Sequence, residues 1–394
     1  MKRFLPGRIT SVALLLFVAF AAPLHGADDV KSLLAAIKAV GKEGAGNPTA
    51  ARAWRELSRL GPDVLPAIFA GFDDDNPLTT NWLRAAADAI GDRALREKKP
   101  LPAAALERFV QDTNNPAIGR LAAYRWLVRA DPAAPARLLP GFLHDRSPDL
   151  RRDAVDTRVE AATAALAKGD KTAAIRALRE ALSGATDKDQ VEDIAKSLKE
   201  QGIEVDLAAH FGFIRSWLVI GPFDNAKGEK LAVVYAPEKS IDLQATYKGK
   251  GDVDCRWKSF ATNDPYGKVD FNKALGQKKG VIAYAQAVVE MPAERRAEIH
   301  LGCATGLKVF HNGKELLFCD EYFHGIPEMD QFVVPVVLKA GRNEILIKVG
   351  QSEETGGSWA DQWWFQARLC DASGVAVSVT SAMRPVPAKA GAGE

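Results

Sequence analysis

The sequence predicts an α+β protein of several domains, with a helical half first and an antiparallel β-sandwich second. Up to about residue 210 the apolar residues recur every three or four positions, which is the period of an α-helix. From Trp217 onwards they alternate at every second position, and turn residues interrupt them about every ten positions. The change of period at residue 211 therefore marks the border between the two halves.

The first 27 residues are typical of an export signal. Three basic residues precede the apolar stretch Ile9–Leu24, and the small residues Gly26 and Ala27 follow as a cleavage site. We therefore expect an exported protein, periplasmic or extracellular, with no membrane span once the signal is removed. The alternative is an uncleaved anchor, although the apolar stretch is short for a spanning helix.

The charge balance does not favour nucleic acid as a partner. The 394 residues include 52 basic and 50 acidic side chains, a net charge of +2. The export signal also argues against a nucleic-acid partner. The last residues, 383–394, are rich in Pro, Ala, Gly and Lys and are expected to be disordered.

The four cysteines all lie in the β half, without the C-x-x-C spacing of a metal or redox site. In an exported protein they could form two disulfides, and the alternative is that they are buried small hydrophobic residues. They are Cys255, Cys303, Cys319 and Cys370.

Residues 28–157 predict helices that begin at Asx-Pro corners. Asn47-Pro48, Asn76-Pro77 and Asn115-Pro116 each place a capping residue before a proline at the first helical position. The pattern from Gly61-Pro62 to Asn76-Pro77 returns about 70 residues later, twice the length of a two-helix repeat. These corners, and above all the segment 145–155, resemble HEAT repeats.

Residues 158–210 differ slightly from the preceding helices. Ala165, Gly169-Asp170, Ala174 and Ala181-Leu182 resemble the skeleton of a tetratricopeptide-type hairpin. Such hairpins bury their apolar stripes only by stacking, so both resemblances imply an α-α superhelix. The superhelix would either offer a concave surface to a protein partner or serve as a spacer for the β half.

The β half, residues 211–382, predicts nine or more short strands. The strongest local signal is a hairpin in which Leu307–His311 and Lys314–Cys319 flank Asn312-Gly313, the residues of a type I′ turn. Further strands are expected at 217–223, 281–290, 298–301, 332–338, 343–349, 363–369 and 375–379. His300 and His311 fall within strands, where a hydrogen-bonded structural histidine is expected.

Several landmarks of this half resemble jelly-roll carbohydrate-binding domains, including the sugar-binding domain attached to many glycoside hydrolases. They include the segments 211–225, 308–314 and 341–343. Related PA14 domains read Gly-Ser-Asp-Asp-Gly before the hairpin, where paired aspartates help to hold calcium. This chain has Ala304 and Thr305 at those positions, so the resemblance implies no calcium site and no cofactor.

Strand parity places a candidate ligand site at one end of the sandwich. If the strands from Ala297 to Val349 run alternately up and down, loops 303–306, 320–330 and 351–361 gather at the end opposite the Asn312-Gly313 turn. Carboxylates beside an aromatic ring suit a sugar. The alternative is a solvated acidic rim with Trp359 folded onto the sheet edge. Together with Glu328, the candidate rim residues are Asp320, Glu321, Tyr322, His324, Asp330, Glu353, Glu354, Trp359 and Asp361.

The sequence contains no H-E-x-x-H, G-x-S-x-G or phosphate-loop motif, and no catalytic residue is predicted. The leading hypothesis is an exported non-enzymatic binding protein, in which the sandwich contacts a glycan or cell-envelope component and the repeats act as a scaffold. One alternative is a protein–protein interaction scaffold with a purely structural sandwich. Another is a glycan-acting hydrolase with its site on the acidic rim.

Overall fold

The computed structural model describes residues 27–73, 75–322, 328–357 and 359–381. Nearly all of the predicted signal, residues 1–26, and the tail 383–394 lie outside them. The chain divides into two compact units, Met1–Arg137 and Leu138–Glu394. This division falls inside the stretch 28–157 that resembles HEAT repeats.

The α+β class is confirmed, since helices precede antiparallel sheets along the chain. Eleven α-helices come before the first strand in the described residues: α1 (Ala27–Lys38), α2 (Asn47–Leu57), α3 (Leu65–Phe69), α4 (Pro77–Arg96), α5 (Ala103–Gln111), α6 (Ala117–Ala130), α7 (Ala134–Leu138), α8 (Pro148–Ala167), α9 (Lys171–Gly184), α10 (Lys188–Glu200) and α11 (Leu207–Phe211).

The first unit is built from packed helix pairs, α1 with α2, α3 with α4 and α5 with α6. The predicted Asx-Pro corner works as a cap at α4, where the Asn76 side chain accepts a hydrogen bond from Thr79 N at 3.2 Å and Pro77 follows. Gly91 lets α4 approach α6 closely, because a Cβ there would lie 2.3 Å from the ring of Trp126.

The second unit joins helices α8 to α11 to the whole β half. Its strands and short helices are β1 (Ser216–Asp224), α12 (Ala236–Lys239), β2 (Tyr247–Lys248), β3 (Asp254–Cys255), β4 (Lys258–Ala261), β5 (Val269–Asp270), α13 (Phe271–Leu275), β6 (Val281–Met291), β7 (Arg295–Cys303), β8 (Leu307–His311), β9 (Lys314–Cys319), β10 (Phe332–Leu338), β11 (Gly341–Gln351), β12 (Trp364–Cys370) and β13 (Thr380–Ser381).

Two antiparallel sheets enclose one core. The larger sheet has the order β4-β1-β6-β11-β8-β9, with β13 paired to β6, and the smaller has the order β10-β7-β12-β5. Alternate residues of both sheets point into the core, where Trp217 and Phe365 meet edge to face with ring centroids 5.0 Å apart. Trp363 is fully buried and Trp364 is partly exposed, as expected for neighbours on opposite faces of a strand.

The predicted hairpin is confirmed at β8 and β9, with positive φ at both Asn312 (49°) and Gly313 (79°). The prediction of a strand over 375–379 is wrong. After β12 the chain turns tightly, and the Asp371 carboxylate accepts hydrogen bonds from the N–H groups of Ser373 and Val375. The next residues make a single bridge, Cys370 to Ala376, before the chain pairs with the other sheet at β13.

Helices α8 to α11 share a hydrophobic cluster with the β half. Val155, Leu178 and Ile194 pack with Phe211 and Phe213, and Tyr266 and Met329 of the β half border them. The change of period at residue 211 is therefore a change of secondary structure inside one packed body. Arg151 adds a polar link, because its Nη2 donates to Ser373 O at 2.7 Å.

The outer face of the larger sheet is covered by residues 225–257. Leu218, Ile220 and Tyr284 of the sheet pack against Trp257 and Tyr235 of this covering segment. A buried ion pair lies between the two layers, since Lys348 Nζ lies 2.8 Å from Glu238 Oε1 and the side chains are 0 % and 4 % exposed.

The same Glu238 oxygen accepts from Tyr284 OH at 2.5 Å, and Lys348 Nζ also donates to Val233 O. Burial lowers the pKa of Lys348, and Glu238 opposes that shift.

Removal of one partner of the Lys348–Glu238 pair should strongly destabilise the second unit. Glu238→Gln leaves a buried ammonium without its counter-charge, at a cost of about 3–5 kcal/mol, whereas the double variant Lys348→Met/Glu238→Gln should recover most of this loss. Urea denaturation of the four proteins measures the cycle. Additive losses in the double variant would contradict a coupled pair.

Candidate functional site

The structure brings the predicted loops 303–306 and 351–361, and the first residues of the third loop, 320–322, to one end of the sandwich. Gly350 N donates to Gly306 O at 2.9 Å, and Leu307 lies opposite Cys319 in the ladder. Two further segments, 224–230 and 276–280, join them, because β1 ends and β6 begins at this end. We call this end, formed by residues 224–230, 276–280, 303–306, 320–322 and 351–361, the rim.

Asn225 ties the rim segments together. It is fully buried, and its Nδ2 donates to Tyr322 OH at 2.7 Å and to Gln351 O at 3.2 Å. Its Oδ1 accepts from Lys230 N, and its own N–H donates to Gly280 O. A single amide side chain therefore satisfies polar groups from several loops, which holds them in one arrangement.

Tyr322, predicted as a binding residue, serves this framework. Its ring packs against Gly306 and Gly350, and a Cβ at Gly350 would lie 2.6 Å from the Tyr322 hydroxyl. Burial raises the pKa of Tyr322, and the hydrogen bond from Asn225 opposes that shift. The position of Tyr322 against two glycines leaves it partly buried, so it offers a ligand little ring surface.

Two predicted carboxylates are held by lysines that the sequence did not indicate. Lys279 Nζ lies 3.0 Å from Asp361 Oδ1 and donates to Ala360 O at 2.6 Å. Lys250 Nζ lies 3.5 Å from Glu353 Oε1 and donates to Gly280 O at 2.8 Å. The rim is thus a mixed-charge surface, with lysines and carboxylates in contact.

Trp359 is the rim's exposed aromatic side chain among the described residues, with half of its surface (50 %) open to solvent. Its indole lies close to the backbone of Gly356 and Gly357, where added Cβ atoms would come within 3.5 Å and 3.2 Å of the ring. Loop 351–361 is anchored beneath it, because Gln351 Nε2 donates to Ala360 O at 3.0 Å.

The remaining predicted carboxylates are solvated. Asp320, Glu321, Glu328 and Glu354 are exposed, and His324 lies outside the described residues. The backbone of Glu328 borders the smaller sheet, where its carbonyl is 3.5 Å from Gln366 Nε2.

Asp330 does not belong to the rim. Arg368 binds it through two nitrogens, at 2.7 Å and 2.5 Å, and His300 Nδ1 lies 3.1 Å away. Burial raises the pKa of Asp330, but the hydrogen bonds from Arg368 and His300 outweigh it and lower the value to about 2. A carboxylate that stays ionised in this way is unsuited to act as the general acid of a hydrolase.

All four cysteines are free thiols in the structure. Cys303 Sγ donates to Thr305 O at 3.2 Å, and Cys255 Sγ to Pro222 O at 3.6 Å. Burial raises the pKa of Cys303 to about 11 and that of Cys370 to about 12, so both sulfurs are protonated at neutral pH.

Ala304 and Thr305, where related modules carry paired aspartates, are both buried. Within the described residues, no group of three or more His, Cys, Asp or Glu side chains is arranged to hold a metal ion. In the same part of the chain, no helix has both the length and the apolar character needed to cross a membrane.

Four residues at or beside the rim lie outside the three predicted loops: Asp224, Asn225, Lys250 and Lys279. Strand parity counted from Ala297 to Val349 does not reach them. Extended back through strands 217–223 and 281–290, the same parity places 224–225 and 279 at this end. Lys250 follows no strand that the sequence indicates, so only the folded chain brings it there.

No family model matches the chain, and no curated protein shows significant similarity to it.

The Asp330–Arg368 pair should make the free energy of unfolding depend on pH in the acid range. The pKa of Asp330 is about 2 in the folded protein and near 3.9 in the unfolded chain, so the contribution is complete above about pH 4 and is lost as pH falls towards 2. Asp330→Asn should therefore lower the free energy of unfolding at pH 7 by about 2 kcal/mol and reduce its slope between pH 4 and 2.

Urea denaturation at a series of pH values measures this slope. Asp320→Asn, an exposed carboxylate of the same chemistry, is the matched control. An unchanged slope in Asp330→Asn would show that another group carries the acid dependence.

Proposed function

We propose that this chain is an exported binding protein whose β half contacts a glycan or cell-envelope polymer through the rim. One observation carries the proposal: a half-exposed tryptophan stands on an anchored loop that also carries carboxylates. Trp359 offers a flat apolar face on which a sugar ring can stack. Ligand sites commonly combine such an aromatic surface with a few polar groups.

The carboxylates on the same loop as Trp359 suit hydroxyl ligands. The carboxylates of Asp361 and Glu353 are about half exposed, at 54 % and 49 %, so each retains free acceptor positions besides its lysine. The lysines and the Asn225 network hold the loops before any ligand arrives. A site that is already ordered loses less entropy on binding.

The finer structural assignments belong to the same proposal. A jelly-roll topology for the two sheets is supported by the resemblance of segments 211–225, 308–314 and 341–343. HEAT-like and tetratricopeptide-like arrays are supported by the helix pairs, and the helices would act as a scaffold for the sandwich.

Trp359→Ala should weaken glycan binding by about tenfold or more, because the variant loses the aromatic surface while the loop anchors remain. Affinity electrophoresis of the full chain in gels containing different polysaccharides measures this. Phe318→Ala is the matched control, since it deletes another exposed aromatic ring, 42 % exposed, on the edge strand β9. If no polysaccharide retards the wild-type protein, the glycan proposal fails.

A second candidate function, a protein-interaction scaffold, is favoured by a small cavity in the first unit. About 240 Å³ in volume, it lies between α4 and α6, with Ile118 and Leu121 in its apolar wall. Arg84, Arg125 and Arg129 edge it, and the Arg129 guanidinium stacks 4.1 Å from the Trp126 ring. An apolar depression edged by arginines resembles the centre of a protein interface.

Crosslinking in envelope extracts distinguishes the two candidates. A scaffold should give crosslinks that map to residues 28–210, and Leu121→Asp should abolish them, because a carboxylate would stand in the apolar wall of the cavity. Crosslinks that map only to the rim, or that survive Leu121→Asp, would count against the scaffold. Gln111→Glu, at an exposed position of α5 outside the cavity lining, controls for the added negative charge.

A further inference from the structure

The second compact unit contains a large cleft at the end opposite the rim. Its volume is about 1110 Å³, and its lining includes the turn residue Asn312 and the strand ends around Lys339 and Arg295. The cleft exceeds the usual size of a small-molecule pocket, about 300–1,000 Å³, and it is open to solvent, so it suits a segment of a polymer.

The cleft is strongly cationic. Its five basic residues outnumber its two acidic residues, Glu298 and Asp371, which leaves a formal charge of +3. Arg295 approaches Asp371 at 3.9 Å, and Glu298 is already bonded to His300 at 2.9 Å. The other four basic side chains are exposed and form no ion pair with any described residue; they are Arg146, Arg296, Lys314 and Lys339.

A buried imidazole also lines the cleft. His311 is only 8 % exposed, and its Nε2 lies 3.0 Å from Asn343 Oδ1. Its Nδ1 makes no hydrogen bond within the described part of the chain. Burial lowers the pKa of His311. The hydrogen bond to Asn343 opposes that shift and the nearby Lys339 adds to it, so the ring is neutral at neutral pH. Asn312 Nδ2 also lies 3.1 Å from Nε2, so the polar contacts of the ring in the described part of the chain are made at Nε2 and leave Nδ1 without one.

The remaining walls are aliphatic, from Ala297, Leu316, Val336 and Val337. No Phe, Tyr or Trp among the described residues lines the cleft, so it lacks the stacking surface that a sugar ring prefers. Aliphatic walls, unpaired cations and a hydrogen-bonding ring together complement a chain with carboxylates, small apolar side chains and backbone amides.

We propose that this cleft is a second binding site, for an acidic peptide segment of a partner protein. The carboxylates of the peptide lie against Arg146, Arg296 and Lys314, and its apolar side chains lie on the aliphatic walls. The site is separate from the rim and takes a different class of ligand, so it stands or falls independently of the glycan proposal.

The test measures fluorescence anisotropy of a labelled peptide in which Glu alternates with Ala, titrated with the full chain. The matched peptide has Gln in place of Glu, and polygalacturonate serves as an acidic polymer without a peptide backbone. We expect the Glu peptide to bind at low salt, with an affinity that falls as salt screens the charges. The double variant Arg296→Glu/Lys314→Glu should weaken it by about tenfold, because two attractions become repulsions.

Two control variants sharpen the result. Lys196→Glu makes a similar change at an exposed lysine of α10 outside the cleft and should leave binding unchanged, as should Trp359→Ala on the rim. All four substituted side chains are largely on the surface, and unfolding midpoints verify that each variant folds. Equal binding of the Glu and Gln peptides, binding of polygalacturonate alone, no binding at all, or full binding by the double variant would each overturn the proposal.

Discussion

The pairing of β6 with β11 is the constraint on which the rest of the β half depends. The two strands pair along 11 residues, from Met291 opposite Gly341 to Val281 opposite Gln351. Nearly every residue of β6 is buried, because one face meets the smaller sheet and the other meets the covering segment. A shift by one residue would exchange Ala283 and Ala285 in the core with Tyr284 and Gln286 outside, so the register is strongly specified. This register decides which loops meet at the Gln351 end and which at the Gly341 end.

On the outer face of each sheet, a buried cation binds the chain segments that cover that face. On the larger sheet, Lys348 binds Glu238 and the backbone of Val233, both in the segment 225–257. On the smaller sheet, Arg368 binds Asp330 and the carbonyl oxygens of Phe211 and Gly374. Such pairs add little net stability compared with apolar packing, but they penalise any arrangement that leaves the charge without its partner. Helices α8 to α11 therefore join the sandwich through a defined contact.

The two ends of the sandwich differ in chemistry, although one register creates both. At the rim, lysines and carboxylates neutralise each other around a half-exposed indole. At the opposite end, basic residues from separate parts of the chain stand without counter-charges among the described residues, around an aliphatic cleft. The chain's net charge of +2 conceals this asymmetry, because bulk composition averages over the surface. Loops and strand ends on a rigid scaffold can thus carry separate recognition sites.

The sequence by itself determined the local elements. The strand Phe332–Leu338, the Asn312-Gly313 hairpin and the Asn76 helix cap follow from periodicity and turn chemistry, which neighbouring residues encode. Strand parity also placed loops 303–306 and 351–361 and residues 320–322 at one end, whereas Asp330 lies elsewhere. The period-2 pattern failed at residues 375–379, where the chain turns because the Asp371 carboxylate accepts backbone hydrogen bonds.

Only the tertiary structure decided which distant side chains contact one another. Lys250 and Lys279 contact Glu353 and Asp361, which lie about 80–100 residues further along the chain. Asp330, which was predicted at the rim, pairs with Arg368 instead. The cationic cleft combines residues as distant as Arg146 and Lys339. The physical reason is that strand pairing and helix docking bring distant segments together, whereas periodicity reports only which face of its own element a residue occupies.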